Sequence, residues 1–244
     1  MTTTIDRADE RVRREREAIE AKQTAYRRFR VRLESVSTRS SSSGAGETLV
    51  ATSGGTRARP IREAFAETVA TVCEERPTGE LLAAELGEEV ATHLTTNGVT
   101  PALRRAVRTE SERRGAELAA MDGALGAEAD SLERAANVVD SVREWLIEVD
   151  ERPLPELGFE ELRERHARLA GFRDDCEGLV ADRQAHLGRT TGAEGQAGVR
   201  HDDLRAYLYE ELPVDHPVPV TATRLDGLCT EAQRTVRDHL VRRV

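Results

Sequence analysis

Lysine is almost absent: Lys22 is the only one in 244 residues, so 35 of the 36 basic side chains are arginine. Aromatic residues make up 3%, which excludes a core built on large rings and leaves Leu, Val and Ala to do the packing. Cysteine occurs three times, at Cys73, Cys176 and Cys229. That odd number and wide spacing exclude a disulfide framework, and no pair has the separation of metal ligands. Each thiol therefore reads as a small buried hydrophobe. Nowhere do about 18 apolar residues run uninterrupted, and the start MTTTIDRADERV has no apolar stretch behind a basic end. The expectation is a soluble, cytoplasmic chain that spans no membrane.

What is abundant is charge. One third of the chain is charged, and 45 acidic against 36 basic residues leave a net charge of −9. That balance makes nucleic acid an unexpected partner. Sparse lysine beside plentiful Glu, Asp and Ala fits a GC-rich, salt-adapted genome, and codon bias alone would give the same composition.

Ile5, Val12, Ile19, Tyr26 and Leu33 are spaced seven apart. A repeat of seven is two turns of slightly underwound helix, so these five side chains form one seam that must be buried against another helix, as in a coiled coil. The offset positions are weaker, with Ala8 and Phe29 apolar but Glu15 and Lys22 polar. A second ladder runs through Leu118, Leu125, Leu132, Val139 and Leu146, with Met121, Val142 and Val149 three residues on.

The first helix is expected from about Thr4 to Val36, followed by a Ser/Gly/Thr-rich tether. Pro60 starts a second helix that stops before Pro77. A third segment from Thr78 carries Leu81, Leu82, Leu86, Val90 and Leu94 and ends at Asn97-Gly98. Thr100-Pro101 then supplies a cap and a first helical residue for a long helix reaching about Val149. Gly115, Gly123 and Gly126 mark where it could bend. Pro153 and Pro155 turn the chain back into a helix from Phe159 to Leu187, whose stripe is Phe159, Leu162, His166, Leu169, Phe172, Cys176, Val180 and Leu187. A second linker precedes a short helix at Asp202 to Leu212, a proline turn PVDHPVPV, and a last helix bearing Leu225, Leu228, Ala232, Val236 and Leu240.

Three stretches, IREAFAETV at 61–69 with LLAAELG and TPALRRAV behind it, WLIEVDERPLPELGFEELRERHARL at 145–169, and YLYEELPVDHPV at 207–218, resemble an uncharacterised haloarchaeal family of all-helical coiled-coil proteins. The resemblance covers most of the chain. It implies an all-α fold in a halophilic archaeal cytoplasm, and it implies no activity.

No pattern of residues announces a reaction. Gly192, Gly195 and Gly198 lack the strand, the lysine and the following helix of a phosphate loop and read as linker. His166 on an apolar stripe reads as a core or rim histidine. Asp215-His216 between prolines reads as turn chemistry, and His201, Asp202 and Asp203 as a helix start. Trp145 reads as core, with a partner anchor as the sharper alternative. Arg27, Arg28, Arg30, Arg32 and Arg39 read as solvated surface. Arg104, Arg105 and Arg108, with Arg113 and Arg114, begin the long helix behind a faint helix-turn-helix at 78–114. Glu88 and Glu89 would there present the wrong sign to phosphates.

The sequence therefore predicts an all-α protein: an elongated antiparallel helical bundle or coiled coil with a small helical head and a short C-terminal helical tail. The expected divisions are 1–36, a coiled-coil helix; 37–58, a linker; 59–188, the head and a helical hairpin; 189–200, a linker; and 201–244, the tail. The expected role is a non-enzymatic interaction or scaffold protein without cofactor or metal. It would bind a protein partner or a second copy through Ile5, Val12, Ile19, Tyr26 and Leu33. The alternative is a DNA-associated regulator that uses Arg104, Arg105 and Arg108.

Overall fold

Thr3 and Asp6 open the first helix with a reciprocal cap. The Thr3 N–H donates to Asp6 Oδ2 at 2.6 Å and the Asp6 N–H to Thr3 Oγ1 at 3.1 Å, satisfying two donors that a helix start leaves free. The computed structural model describes residues 3–36, 58–73, 75–96, 99–191 and 199–243. The expected tether, apart from Ala58, lies outside those residues, as do Asn97-Gly98, Gly192, Gly195 and Gly198.

Among the described residues the chain is all-α. Eight helices run α1 (Thr4–Ser35), α2 (Arg59–Ala66), α3 (Thr78–Leu86), α4 (Glu88–Thr96), α5 (Pro101–Asp150), α6 (Phe159–Leu187), α7 (His201–Tyr209) and α8 (Pro217–Val241). The long helix expected from Pro101 is continuous over 50 residues, with no break at its glycines. Its start is the predicted cap, since Thr100 Oγ1 accepts the Leu103 N–H at 3.0 Å.

Contacts divide the chain into a first unit, Met1–Glu15 with Gly123–Val244, and a second unit, Arg16–Asp122. Both long helices, α1 and α5, contribute residues to each unit.

In the second unit, α1 and α5 run antiparallel. Arg16 pairs with Asp122 at 3.1 Å, Gln23 donates to the Leu118 carbonyl at 3.2 Å, and Arg104 donates to the Val36 carbonyl at 3.2 Å. Phe65 of α2 meets Phe29 of α1 edge to face at 5.7 Å. The helix expected to reach Pro77 instead ends at Ala66 and gives way to a turn and a 3₁₀ segment at Ala70–Val72. The β-branched residues Thr68, Val69, Thr71 and Val72 account for this. Such side chains are stiff in a helix, and the Thr68 and Thr71 hydroxyls bond instead to the carbonyls of Ala64 and Thr68 at 2.5 and 2.6 Å. The stripe from Thr78 is likewise split in two at Gly87, whose φ of 83° and ψ of 150° lie in a region open essentially to glycine alone.

In the first unit, α6 runs antiparallel to α5 and α8 antiparallel to α6. Trp145 stacks edge to face on Phe172 at 5.3 Å. Arg173 pairs with Asp226 at 2.9 Å, and Gln233 donates to the His166 carbonyl at 3.2 Å. The expected C-terminal helical tail is present, and its last helix, α8, spans 25 residues and lies along α6. The proline turn is shorter than expected because Pro217 and Pro219 belong to the first helical turn, where a missing N–H leaves no bond unmade. Phe159, placed on the buried stripe, is 46% exposed. A two-residue ladder, β1 (Thr190–Thr191) against β2 (Val199–Arg200), brackets the second linker.

Replacing Gly87 with Ala should destabilise the fold by about 1–3 kcal/mol, the usual penalty for forcing a side chain into that backbone region. Nothing lies within 4 Å of the added methyl, so backbone strain is the whole effect. Gly123, inside α5 and equally free of neighbours, should gain about 0.5–1 kcal/mol as Ala. Urea melts of the two variants should move in opposite directions.

Candidate functional site

The five rungs of the α1 ladder are all covered within the chain: Ile5, Val12, Ile19, Tyr26 and Leu33 are between 0% and 9% exposed. Arg105 and Arg108 are exposed and Arg104 half-buried, all on the first turns of α5. Of these residues only Tyr26 meets a buried polar centre. Among the described residues there are two such centres, one in each unit, and both are built on a glutamate that the sequence did not single out.

In the first unit the centre is Glu128 on α5, 1% exposed. Arg183 of α6 grips it with both terminal nitrogens, at 2.8 and 2.6 Å, and also donates to Ser131 Oγ at 3.2 Å. His186 Nε2, one turn on, lies 2.8 Å from Glu128 Oε2, and the Tyr209 hydroxyl of α7 donates to Oε1. The His201 ring lies against His186 with centroids 4.3 Å apart. His201 Nδ1 and Arg183 Nε are buried without a hydrogen-bond partner among the described residues.

Burial alone would raise the Glu128 pKa. Hydrogen bonds from His186, Arg183 and Tyr209, with the Arg183 charge, outweigh it and bring the value from 4.5 to about 2. Burial and the Glu128 charge push the Tyr209 hydroxyl well above its ordinary range. Burial, with His186 alongside, lowers the His201 pKa from 6.5. The resting state is therefore a carboxylate clamped by a guanidinium, beside a His201 biased to neutrality.

In the second unit the centre is Glu85 on α3, its side chain 8% exposed. It accepts the Tyr26 hydroxyl at 2.8 Å and Arg114 Nε at 3.0 Å, with Lys22 Nζ at 3.7 Å and the Cys73 thiol also at 3.7 Å. The lone lysine thus lies beside a buried carboxylate. Burial opposes ionisation of Glu85, and the Tyr26 hydrogen bond and the Arg114 charge reverse that, leaving its pKa lowered. Burial and the nearby Glu85 charge raise the Cys73 pKa, so this thiol is not activated as a nucleophile.

Chemically the two centres are alike. Each holds a carboxylate in its ionised form under several donors, which suits fixed packing better than proton transfer, where a pKa near the working pH is needed. No group of three or more His, Cys, Asp or Glu among the described residues could hold a metal ion, and no described helix is long and apolar enough to cross a membrane.

The profile of a family described as a domain of unknown function, DUF7260, matches residues 3–233. The chain belongs to the DUF7260 family. No curated protein and no solved structure matches it. The DUF7260 match takes in α1 through most of α8, and both buried glutamates fall inside it.

Sequence reasoning missed Glu128, although a signal was present. Met121, Glu128, Ala135, Val142 and Val149 are seven apart, so Glu128 occupies a rung of the offset ladder. A charge on an apolar rung requires a buried partner.

Glu128→Gln should lower stability at neutral pH by about 3–5 kcal/mol, because it leaves Arg183 buried without its counter-charge. Since the Glu128 pKa is depressed on folding, its contribution of about 3 kcal/mol is present above pH 4.5 and is lost as pH falls toward 2. His201 acts in the same direction, its contribution fading as pH drops below 6.5. Chemical denaturation measured between pH 7 and 3 should show stability falling throughout. The slope below pH 4.5 should flatten in Glu128→Gln, and the slope just below 6.5 in His201→Gln.

Proposed function

We propose that this DUF7260 chain is a non-enzymatic, cytoplasmic helical scaffold of a halophilic archaeon that acts by binding another protein. The single lysine and the net charge of −9 support the salt-adapted setting. The absence of a reaction is supported by the centre in the first unit, where Glu128 and Arg183 are 1% exposed in their side chains and pair with each other out of a substrate's reach.

The observation that carries the interaction reading lies at one end of the first unit. Ile147 near the close of α5, Phe159 at the start of α6 and Val241 at the end of α8 are 66%, 46% and 70% exposed. Arg243 donates to the Pro155 carbonyl at 2.5 Å, holding the end of α8 against the α5–α6 connection. Three large apolar side chains at one helical end, in a chain so rich in charge, are the natural contact for a partner. Because the α1 ladder is already covered, binding would use this end and leave the ladder intact.

A nucleic-acid role for 78–114 has less behind it. α4 opens with Glu88 and Glu89, which repel a phosphate backbone.

The double variant Ile147→Asp, Val241→Asp should melt within about 0.5 kcal/mol of the parent, as exposed substitutions do. In cells of the source organism, chemical cross-linking with mass spectrometry should lose the protein partner joined near residues 147–159. An unchanged set of cross-links would remove the reading.

A further inference from the structure

Four arginines from two helices line one cavity of the second unit. We propose that this cavity, bounded by Arg30 of α1 and Arg104, Arg105 and Arg108 of α5, binds a small phosphate-bearing anion the size of phosphate or pyrophosphate. The proposal is independent of the scaffold reading, since it concerns a different unit and a different class of ligand.

The cavity measures about 260 Å³, below the roughly 300–1,000 Å³ of pockets that take drug-sized molecules. Its scale suits a compact ion. Glu34 and Glu112 also line it, so four positive groups face two negative ones in a chain whose overall balance is acidic. Arg108 is committed to Glu112 at 3.7 Å, and Arg104 gives one N–H to the Val36 carbonyl at 3.2 Å. Arg30 and Arg105 make no ion pair among the described residues. Elsewhere arginines repeatedly pair with a carboxylate one turn away, as Arg59 does with Glu63, Arg113 with Glu110 and Arg163 with Glu160. Two arginines without such partners on a shared cavity leave positive charge there for an anion to meet.

The seat of Arg30 is also shaped. A Cβ at Gly115 would lie 3.2 Å from Arg30 Nη1, so the guanidinium rests across α5 where the helix carries no side chain. A glycine inside a helix weakens it by about 1 kcal/mol relative to alanine. Here that glycine leaves room for the Arg30 head, one turn along α5 from the lining residue Glu112.

Phosphate fits better than a single carboxylate because planar guanidinium forks match its several oxygens and its greater charge. A polynucleotide fits worse. The four arginines gather on one small cavity instead of tracking a strand, and Glu34 and Glu112 among its lining groups would meet neighbouring phosphates with like charge.

Titration calorimetry of the full chain in phosphate-free, low-salt buffer tests the assignment, with pyrophosphate and then inorganic phosphate as the probes. Wild type and Arg163→Gln, a control on an exposed pair of α6, should bind alike. The double variant Arg30→Gln, Arg105→Gln should bind roughly tenfold more weakly or worse, the loss expected from removing charge-assisted hydrogen bonds, with an unchanged circular dichroism spectrum. Gly115→Leu, which crowds Arg30 and removes no charge, should weaken binding as well. Equal affinity in the double variant, or no heat from either anion, would overturn the proposal. So would binding of a short DNA duplex without binding of pyrophosphate.

Discussion

A carboxylate enters a helical core only if its charge is met there, and Glu128 is met by donors from two other helices. Arg183 and His186 come from α6 and Tyr209 from α7, while Glu128 itself stands on α5. Leucine rungs can slide past one another by a turn or a heptad at modest penalty, because one apolar contact resembles the next. A bidentate guanidinium–carboxylate pair cannot. A shift of one turn would leave Glu128 and Arg183 both buried and unpaired, several kcal/mol less favourable. Since well-packed hydrophobic side chains often replace a buried ion pair without loss of stability, the contribution of this one is alignment of the three helices more than net stability.

The second unit meets the same constraint more loosely. Glu85 is buried, but Arg114 is 31% and Lys22 29% exposed, so solvent screens both cations. The Tyr26 hydroxyl supplies the directional contact. Tyr26 reads in sequence as one more apolar rung, and it is one, with 0% of its surface exposed. Its oxygen needs a partner for that reason, and Glu85 provides it. The two centres thus solve one problem with matching parts, a glutamate, an arginine and a tyrosine hydroxyl.

Much of the fold was legible because its elements announce themselves locally. Heptad spacing placed α1, Thr100-Pro101 fixed the start of α5, and the prolines at 153 and 155 with the stripe from Leu162 gave α6. Where the reading failed, a local feature had been given too little weight against a regular pattern. The threonines after Ala66 ended α2 early, Gly87 divided α3 from α4, and Pro217 and Pro219 joined a helix instead of preceding it. The buried centres were half legible. Glu15 and Lys22 stood out as polar interruptions of the α1 offset ladder, and both have partners, Glu15 with Arg11 and the Tyr207 hydroxyl, Lys22 with Glu85. What no spacing could supply was which residues would meet, since Glu128 finds Arg183 and Tyr209 at separations of 55 and 81 residues.

The division of the chain has a consequence for its birth on the ribosome. Residues 16–122 are contiguous, so the second unit has all its parts once α5 is half made. The first unit joins residues 1–15 to residues 123–244, and the Tyr207–Glu15 hydrogen bond closes a loop of 192 residues. At about 5–20 residues per second, residues 123–244 take roughly 6–24 s to make, and the opening turns of α1 wait for them. Through that interval Ile5 and Val12 lack the rest of their own unit, so the opening turns of α1 gain shelter later than the turns that follow them.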